Sequence, residues 1–344
     1  MDTYDICMVG YGIATLSSLL ILSKISKPLR IVIFDPYFDG GLLRRRYGKV
    51  RSNTTWYQFV DAVAPFCGGR NEENLRIRAN EVTPLEDLVS ALLKVVQSPC
   101  IPKEDSQNLQ ITYICEEVKT IREDSFPEGG NWIINNTTKA KIVLLNYGAH
   151  PKCLKYPKPT LQLDAVLNGN QLPCIRGQKV IIFGTMHSGV LCINRLIHEG
   201  IRVVAVYNGN SPFKFTRDGE YDGLKQESAS IADYLLNCSI AYISSNDEER
   251  IKAELETCDW VLYACGFTAN EGIMVYDCNG GQIDIRNYDE KTGSICGRMN
   301  LFGYGIAYPS STMVNEKKYF DVSLPAFMNH IGGNMDLILK YLEK

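Results

Sequence analysis

The sequence has few of the residues and patterns that mark several common protein classes. It contains 4 histidines in 344 residues, and none of them stands at metal-ligand spacing from another. None of its 12 cysteines belongs to a CxxC pair, so zinc ribbons and thioredoxin-type redox motifs have no support. Lys and Arg number 36 against 39 Asp and Glu, and this near balance excludes a generally basic protein that coats nucleic acid.

The amino-terminal part also lacks a long apolar run. Its apolar stretch, residues 13–22, is about half as long as the roughly 20 residues that cross a bilayer. Asp2 and Asp5 stand where a secretion signal carries basic residues, and scattered single cysteines are typical of a reducing compartment. We therefore expect a cytoplasmic protein with no membrane partner and no nucleic-acid partner.

The composition itself is that of a globular chain, with 45% apolar and 22% charged residues. At about 150 residues per domain, the length predicts two domains. Apolar periodicity predicts helices over residues 56–66, 84–97 and 321–343, and short strands between 109 and 145. Four prolines predict an interdomain linker over residues 151–173, and residues 208–230 are predicted to form a long polar loop.

A glycine turn follows the first predicted strand. Gly10 permits a tight turn, Gly12 lets the backbone approach a pyrophosphate, and the helix amino terminus offers N–H groups to that anion. Asp35 ends the next apolar strand, where an acid can accept hydrogen bonds from a ribose. Thr15 replaces the third glycine, so we expect the helix to pack slightly farther from the strand. The residues predicted to bind the dinucleotide here are Gly10, Gly12, Ile13, Ala14, Thr15, Asp35 and Pro36.

A second turn of this kind follows the strand at residues 179–183. Met186 takes the place of the middle glycine, so a degenerate turn that binds no nucleotide remains an alternative. Asn208 ends the following strand in place of an acid, which favours NADP over NAD because no carboxylate repels a 2′-phosphate. His187 is predicted either to reach the phosphate or the nicotinamide or to cap the helix. The predicted binding residues are Gly184, His187, Ser188, Gly189, Asn208, Lys214 and Arg217.

Two such turns in one chain resemble the two-dinucleotide flavoproteins. Residues 142–151, 259–270 and 300–309 resemble three further segments of that family. The resemblance implies an α/β fold with two Rossmann-like three-layer domains, FAD on the first and NADP or NAD on the second. It implies an FAD-binding domain of residues 1–165 and 264–344, with a nicotinamide domain of residues 174–263 inserted into it. It also implies cofactor contacts at Val118, Gly148, Gly266, Gly303 and Tyr304.

Within that family, the cysteines disfavour the disulfide reductases, which place a local cysteine pair beside one of the cofactors. Residues 36–66 contain no cysteine, and Cys67 alone cannot form a pair. The cysteines of the nicotinamide segment are too far apart in sequence for a local pair; they are Cys174, Cys192, Cys238 and Cys258.

Residues 39–56 instead resemble the segment of the flavin-containing and N-hydroxylating monooxygenases that runs under the flavin. The resemblance implies cofactor contacts at Gly41, Leu42, Arg51 and Ser52, and it makes Asn53 the catalytic candidate, as an amide over the flavin. The alternative for Asn53 is a cap of the following helix. The FxGxxxHxxx(Y/F) pattern of the monooxygenases is missing from residues 150–170, and this departure weakens the assignment to their branch.

The resemblance implies an FAD- and NAD(P)H-dependent oxidoreductase, in which the flavin supplies the chemistry and the protein positions it. We expect monooxygenase-like activity on a small soft nucleophile such as an amine or a thioether, and assembly as a homodimer. One alternative is a reductase or oxidase that passes electrons to a protein or a quinone. Another is a non-catalytic FAD-binding protein, structural or sensing, whose nicotinamide site has decayed.

Overall fold

The structure is a computed structural model that describes residues 3–66, 82–97, 109–124, 130–215, 219–314 and 317–343. Cys67 and Arg217, named above, lie outside these residues. The chain divides into two compact units. Unit 1 comprises residues 1–45, 54–149 and 269–344, and unit 2 comprises residues 46–53 and 150–268.

The strands are numbered in chain order. They are β1 (Thr3–Val9), β2 (Leu29–Phe34), β3 (Leu109–Ile114), β4 (Thr120–Glu123), β5 (Trp132–Ile134), β6 (Thr138–Leu145), β7 (Ala149–Pro151), β8 (Thr160–Leu161), β9 (Lys179–Phe183), β10 (Arg202–Tyr207), β11 (Ala241–Ser244), β12 (Trp260–Tyr263), β13 (Phe267–Ala269), β14 (Met274–Tyr276), β15 (Leu301–Gly303), β16 (Ser310–Val314) and β17 (Lys317–Asp321).

The α-helices of the described residues are numbered in the same way. They are α1 (Ile13–Leu22), α2 (Gly41–Tyr47), α3 (Trp56–Val63), α4 (Leu85–Gln97), α5 (Leu163–Leu167), α6 (His187–His198), α7 (Glu227–Leu236), α8 (Glu248–Thr257) and α9 (Leu324–Leu342). The predicted helices over residues 56–66, 84–97 and 321–343 thus correspond to α3, α4 and α9.

Unit 1 is built on one large sheet with the order β14-β4-β5-β6-β1-β2-β3, and β15 also pairs with β6. The centre of the sheet is parallel: β1 pairs in parallel with both β2 and β6, and β2 with β3. Only β5 runs antiparallel to its neighbours β4 and β6. Parallel central strands bring their carboxyl ends to one edge, where the first glycine turn lies.

Each face of this sheet carries an apolar core. On one face, buried residues of the sheet pack with those of helices α1, α3, α4 and α9. On the other face, a second cluster includes Trp132, Val275 and Tyr308. The central strands are therefore apolar almost throughout, as expected where both faces of a parallel sheet are covered.

Unit 2 has a five-stranded sheet with the order β11-β10-β9-β12-β8, and every pair in it is parallel. Residues 151–173, predicted as an interdomain linker, belong to unit 2 and contribute β8 and helix α5 to it. Leu161, Leu163 and Val166 are buried there. In the sequence these three residues lie between prolines. Because the prolines indicated a linker, the short strand and helix were not predicted.

Candidate functional site

The first glycine turn is held tightly against the end of β6. Gly10 has a φ of +95°, and a Cβ atom on it would lie 2.7 Å from the carbonyl oxygen of Asn146. Its N–H donates to the carbonyl of Phe34 at 2.8 Å. Only glycine fits this position, for reasons of backbone conformation and of space.

At Gly12, by contrast, the space on the side where a Cβ atom would project is open. It is the N-cap residue of α1 with an ordinary φ of −97°, and no side chain caps the helix there. A Cβ atom on Gly12 would meet nothing nearer than the Gly40 carbonyl, at 4.0 Å. Neither the protein's packing nor its backbone conformation accounts for a glycine here, and the first-turn N–H groups of Ile13 and Ala14 have no partner within the helix. The position fits an anion that needs close contact with backbone.

The segment that opens α2 passes directly over this turn. Gly41 has a φ of +80°, and a Cβ atom on it would lie 3.0 Å from the Cα of Gly12. At Gly40, with a φ of +96°, a Cβ atom would collide with the side chain of Val89. The two glycines therefore allow α2 to begin against the turn, with Leu42 as its next residue.

Asp35, at the end of β2, is buried and ties the turn to its surroundings. Its Oδ2 accepts the N–H of Tyr11 at 2.8 Å, and its Oδ1 accepts the N–H groups of Tyr37 and Phe38 at 2.8 and 2.9 Å. A carboxylate offers about four acceptor positions, so one on Oδ2 is left for a ribose hydroxyl. Pro36, the next residue, accepts the thiol of Cys115 at its carbonyl.

An aromatic cluster that the sequence did not reveal lies beside Asp35. The ring of Tyr11 meets the rings of Phe38 and Tyr113 edge to face, at centroid distances of 5.2 and 6.0 Å. Burial raises the pKa of Tyr11 to about 12, so the phenol stays protonated at neutral pH. The cluster gives this edge of the sheet an apolar wall.

The hydroxyl of Thr15, the residue in place of the third glycine, is itself hydrogen-bonded. Its hydroxyl is fully buried, donates to the carbonyl of Gly10 at 2.6 Å and accepts the side-chain amide of Asn146 at 3.1 Å. The hydroxyl thus joins helix α1, the glycine turn and the end of β6. The side-chain Oδ1 of Asn146 is buried with no hydrogen-bond partner among the described residues.

The other residues expected at FAD have either buried side chains, as Val118 and Tyr304 do, or none, as in Gly148 and Gly303. Val118 belongs to the core of the second sheet face, and a Cβ atom on Gly303 would collide with the ring of Tyr308. Tyr304 is buried and its hydroxyl donates to the carbonyl of Thr292 at 3.2 Å. Gly148 has a φ of +80° and accepts the N–H of Asn270 at 3.2 Å. At these positions only the backbone is available to a ligand.

His330 on α9 is a buried titratable group that the sequence did not single out. Its ring meets that of Tyr304 edge to face, at 5.2 Å between centroids. Burial lowers its pKa, against the opposing effects of the Lys291 carbonyl and the Asp289 carboxylate. Its Nε2 has no hydrogen-bond partner among the described residues.

The second glycine turn, in unit 2, keeps only those glycines that packing requires. A Cβ atom on Gly184 would collide with the carbonyl of Ala264, and one on Gly189 would collide with the carbonyl of Gly184. Gly184 has a φ of +108°, whereas Gly189 is helical and lets α6 approach the turn. These glycines are explained by the fold and do not by themselves indicate a ligand.

The amino terminus of α6 is covered by unit 2's own residues. Met186 is the N-cap residue, and a Cβ atom on Gly223 would lie 2.8 Å from its terminal methyl group. His187 Nε2 lies 3.3 Å from the carbonyl oxygen of Arg51. The guanidinium of Arg51 in turn pairs with the carboxylate of Glu227 at 3.4 Å.

The imidazole of His187 is part of this covered region. Burial lowers its pKa, against the opposing effects of the Arg51 carbonyl and Glu227, so the imidazole is neutral at pH 7. Its Nδ1 is buried with no hydrogen-bond partner among the described residues. A neutral, covered histidine attracts an anion less than an exposed imidazolium.

Asn53 lies in the same region of unit 2. Its side-chain amide donates to the carbonyl of Gly223 at 3.3 Å, and its Oδ1 is buried with no partner in the described part of the chain. The alternative of a helix cap was wrong, because Thr55 and Gln58 form a reciprocal capping box at α3. Ser52, beside Asn53, is buried.

The remaining predicted residues of unit 2 make fewer contacts that identify a site. Asn208 and Lys214 are exposed beyond the end of β10, and Ser188 lies in the first turn of α6. Gly266 has a φ of +97° and accepts the N–H of Lys152 at 2.9 Å. An exposed amide and an exposed ammonium at a strand end are compatible with a phosphorylated ribose.

Two other features are absent from the described residues. No group of three or more His, Cys, Asp or Glu side chains there could hold a metal ion. None of the helices described is both long enough and apolar enough to cross a membrane.

Comparison with solved structures shows what this arrangement is similar to. The bacillithiol disulfide reductase Bdr from Staphylococcus aureus matches over 99% of both chains with a TM-score of 0.61 and 12% identity. A variant of the flavin monooxygenase from Stenotrophomonas maltophilia matches over 99% of both chains, with a TM-score of 0.59 and 12% identity. The thioredoxin reductase from Lactococcus lactis gives 0.55 at 12% identity, again over 99% of both chains.

Comparison of sequences adds a relative among curated proteins. Monooxygenase AgnR1 from Paecilomyces divaricatus is 25% identical over 359 aligned positions, which cover 88% of this chain and 89% of that protein. No protein-family model matches the chain. The aligned regions cover 88% of this chain for the relative and 99% of it for each of the three structures.

Proposed function

We propose that this chain, an oxidoreductase with the fold of the FAD/NAD(P)-binding flavoproteins and with a monooxygenase among its relatives in sequence, binds FAD at the first glycine turn. The predicted fold class and the resemblance to the two-dinucleotide flavoproteins are confirmed by these likenesses. The binding site itself is our proposal, and it rests on unit 1 alone.

The observation that carries the proposal is the open space at Gly12. An uncapped helix terminus, a glycine that the fold does not require and an adjacent acid with one free acceptor position together fit a nucleotide pyrophosphate and its ribose. Gly10 and Gly41 allow the backbone on either side of this space to adopt its conformation. When bound, FAD would supply the transfer of electron pairs to and from carbon, nitrogen, sulfur or oxygen.

Substitution of Gly12 by Ala tests this site directly. Gly333 is a matched control, because it also has no atom within 4 Å of an added Cβ and no positive φ. We expect Gly12→Ala to weaken FAD binding by about tenfold or more, since the methyl group takes the place of the pyrophosphate. Gly333→Ala should bind FAD normally.

Titration of the apo-protein with FAD, followed by flavin fluorescence, measures both affinities. A chain that cannot be loaded with FAD contradicts the proposal. So does a Gly12→Ala variant that binds FAD as tightly as the wild type while Gly333→Ala does the same.

For the reaction, we propose reduction by NADPH or NADH followed by monooxygenation of a small soft nucleophile such as an amine or a thioether. The sequence relationship to Monooxygenase AgnR1 supports this subclass. Anaerobic mixing with each nicotinamide should bleach the flavin absorbance. Incorporation of oxygen-18 from dioxygen into an amine or thioether probe would support the monooxygenase, and reduction without incorporation would support a reductase or oxidase.

A second candidate function is an FAD-binding protein that does not use nicotinamide. It is favoured by the covering of the α6 amino terminus, where Met186 stands in place of a glycine and contacts Gly223. The side-chain amide of Asn53 donates to the carbonyl of the same Gly223. Its role as a catalytic amide stays a prediction.

Replacement of Met186 by Ala distinguishes these functions, with the exposed Met299→Ala as the control. If Met186 blocks the nicotinamide, Met186→Ala should accelerate anaerobic flavin bleaching by NADPH several-fold. Met299→Ala should bleach at the wild-type rate. A wild-type chain that is already reduced rapidly rules out the decayed site.

The small-molecule substrate, the homodimer, the cytoplasmic location and the choice of NADP over NAD stay predictions. The exposed Asn208 and Lys214 support NADP, since a carboxylate is absent from both positions. A comparison of the Kd values for NADPH and NADH in wild type and Lys214→Ala tests that choice.

A further inference from the structure

Two cysteines far apart in sequence are brought opposite each other in unit 2. The N–H of Lys152 donates to the carbonyl of Gly266 at 2.9 Å, and the N–H of Asn270 donates to the carbonyl of Gly148 at 3.2 Å. These bonds run in opposite order along the two segments, so strands β7 and β13 pair antiparallel. Continued by one residue beyond the Lys152–Gly266 bond, the two segments reach Cys153 and Cys265.

The Cys265 thiol contacts the peptide bond that precedes Cys153. The Sγ of Cys265 donates to the carbonyl of Lys152 at 3.6 Å, and this carbonyl belongs to the peptide bond of Cys153. Gly266, with its φ of +97°, turns the chain next to Cys265. Cys153 also lies close enough to Cys265 and to Tyr263 to raise the pKa of both groups.

The two thiols differ in exposure. Cys153 is exposed, whereas Cys265 is half-buried. Burial raises the pKa of Cys265, although the nearby Lys152 ammonium acts in the opposite direction. An exposed thiol beside a more protected partner is the arrangement of an attacking and a resolving cysteine.

We propose that Cys153 and Cys265 are a redox modification site, which closes to a reversible disulfide in the presence of hydrogen peroxide. Cross-strand cysteines in facing positions are within the separation that a disulfide spans. The bond would link the two segments beside the points where the chain passes between its units, after residue 149 and before residue 269.

The reaction balances with peroxide as the oxidant. The Cys153 thiolate attacks one peroxide oxygen, the O–O bond breaks, and the leaving hydroxide takes a proton to give the first water. Cys265, losing its proton, attacks the sulfenic sulfur of Cys153, the S–S bond forms and the second water leaves. Two thiols lose two electrons and two protons, and one peroxide becomes two waters. A dithiol such as dithiothreitol reverses the change by thiol–disulfide exchange.

The pair is separate from the cysteine pairs of the disulfide reductases discussed above, because it is not local in sequence. Other exposed thiols make different contacts: Cys115 donates to the carbonyl of Pro36, and Cys296 donates to the carbonyl of Asp284. Cys278 is also exposed and lies in unit 1, which makes it a suitable control.

The test uses the full chain, reduced and freed of reductant, then treated with a small excess of hydrogen peroxide and alkylated. We expect the free-thiol count to fall by two and peptide mapping to recover a cross-linked peptide containing Cys153 and Cys265. Dithiothreitol should restore both thiols. Cys153→Ser and Cys265→Ser should each lose the cross-link, whereas Cys278→Ser should keep it.

A second measurement separates the bond from nonspecific oxidation. The wild type should gain several degrees in Tm on oxidation, because a cross-link restricts the unfolded chain, and Cys153→Ser should gain none. Full alkylation of both cysteines after peroxide would overturn the proposal. Recovery of sulfinic or sulfonic acid at Cys153 without a cross-link would also overturn it.

Discussion

Thr15 occupies the position at which a third glycine would let α1 come nearest to the turn. The sequence predicted a slightly wider packing distance at this point. The structure shows the chemical compensation, a hydroxyl that bonds to Gly10 and Asn146 at once. This link could not be predicted, because Asn146 reaches the turn only through the parallel pairing of β6 with β1.

Removal of that hydroxyl should be costly. We expect Thr15→Val, which is nearly equal in shape, to lower the free energy of unfolding by about 1–3 kcal/mol, because buried polar groups lose a partner. Thr15→Ser keeps the hydroxyl and should lose less. Urea unfolding of the apo-protein measures both. Equal loss in the two variants would mean that the methyl group, and not the hydrogen bonds, stabilises this position.

At the scale of elements, strands and long helices were predictable and tertiary partners were not. The apolar runs of β1, β2, β9 and β10 and the periodicity of α9 are local signals. By contrast, Asn53 contacts Gly223, and the Cys265 thiol contacts the Lys152 carbonyl, over more than 100 positions of sequence. No sequence period carries such information.

Helix α9 makes unit 1 sensitive to acid. The pKa of His330 is lowered in the folded protein, so the unfolded chain binds the proton at a higher pH than the folded chain. Stability is therefore complete above the ordinary histidine pKa of about 6.5 and falls as the pH drops below it, until the folded pKa is passed. Asp289 faces the ring and reduces the effect.

Substitution of His330 by Phe keeps an aromatic ring beside Tyr304 and removes the titration. We expect a shallower loss of unfolding free energy between pH 7 and pH 5 in His330→Phe than in the wild type. His187, whose pKa is also lowered, should supply the acid sensitivity that remains. Parallel urea titrations at several pH values check this. Identical pH dependence in both proteins would exclude His330 as the source.

At the scale of the whole molecule, the effects of FAD binding should be confined to unit 1. FAD at 100 times its Kd should add about 2.7 kcal/mol to apparent stability by linkage. Hydrogen exchange should slow at residues 10–16 in unit 1, which form the first glycine turn and the beginning of α1. Slowing that is confined to residues 184–190 would assign the flavin to the wrong unit and contradict the proposed site.

The discontinuous make-up of unit 1 has a consequence for its synthesis. Strand β15 pairs with β6, and α9 packs on α1, so the unit's sheet and core need residues from both ends of the chain. Unit 2 draws almost all of its residues from one continuous stretch, 150–268. During translation, that stretch can leave the ribosome and fold before β15 and α9, which complete the sheet and core of unit 1, have been synthesised. The flavin pocket would then be among the last parts of the nascent protein to form, and chaperones would have the longest time to act on its exposed β6 and α1.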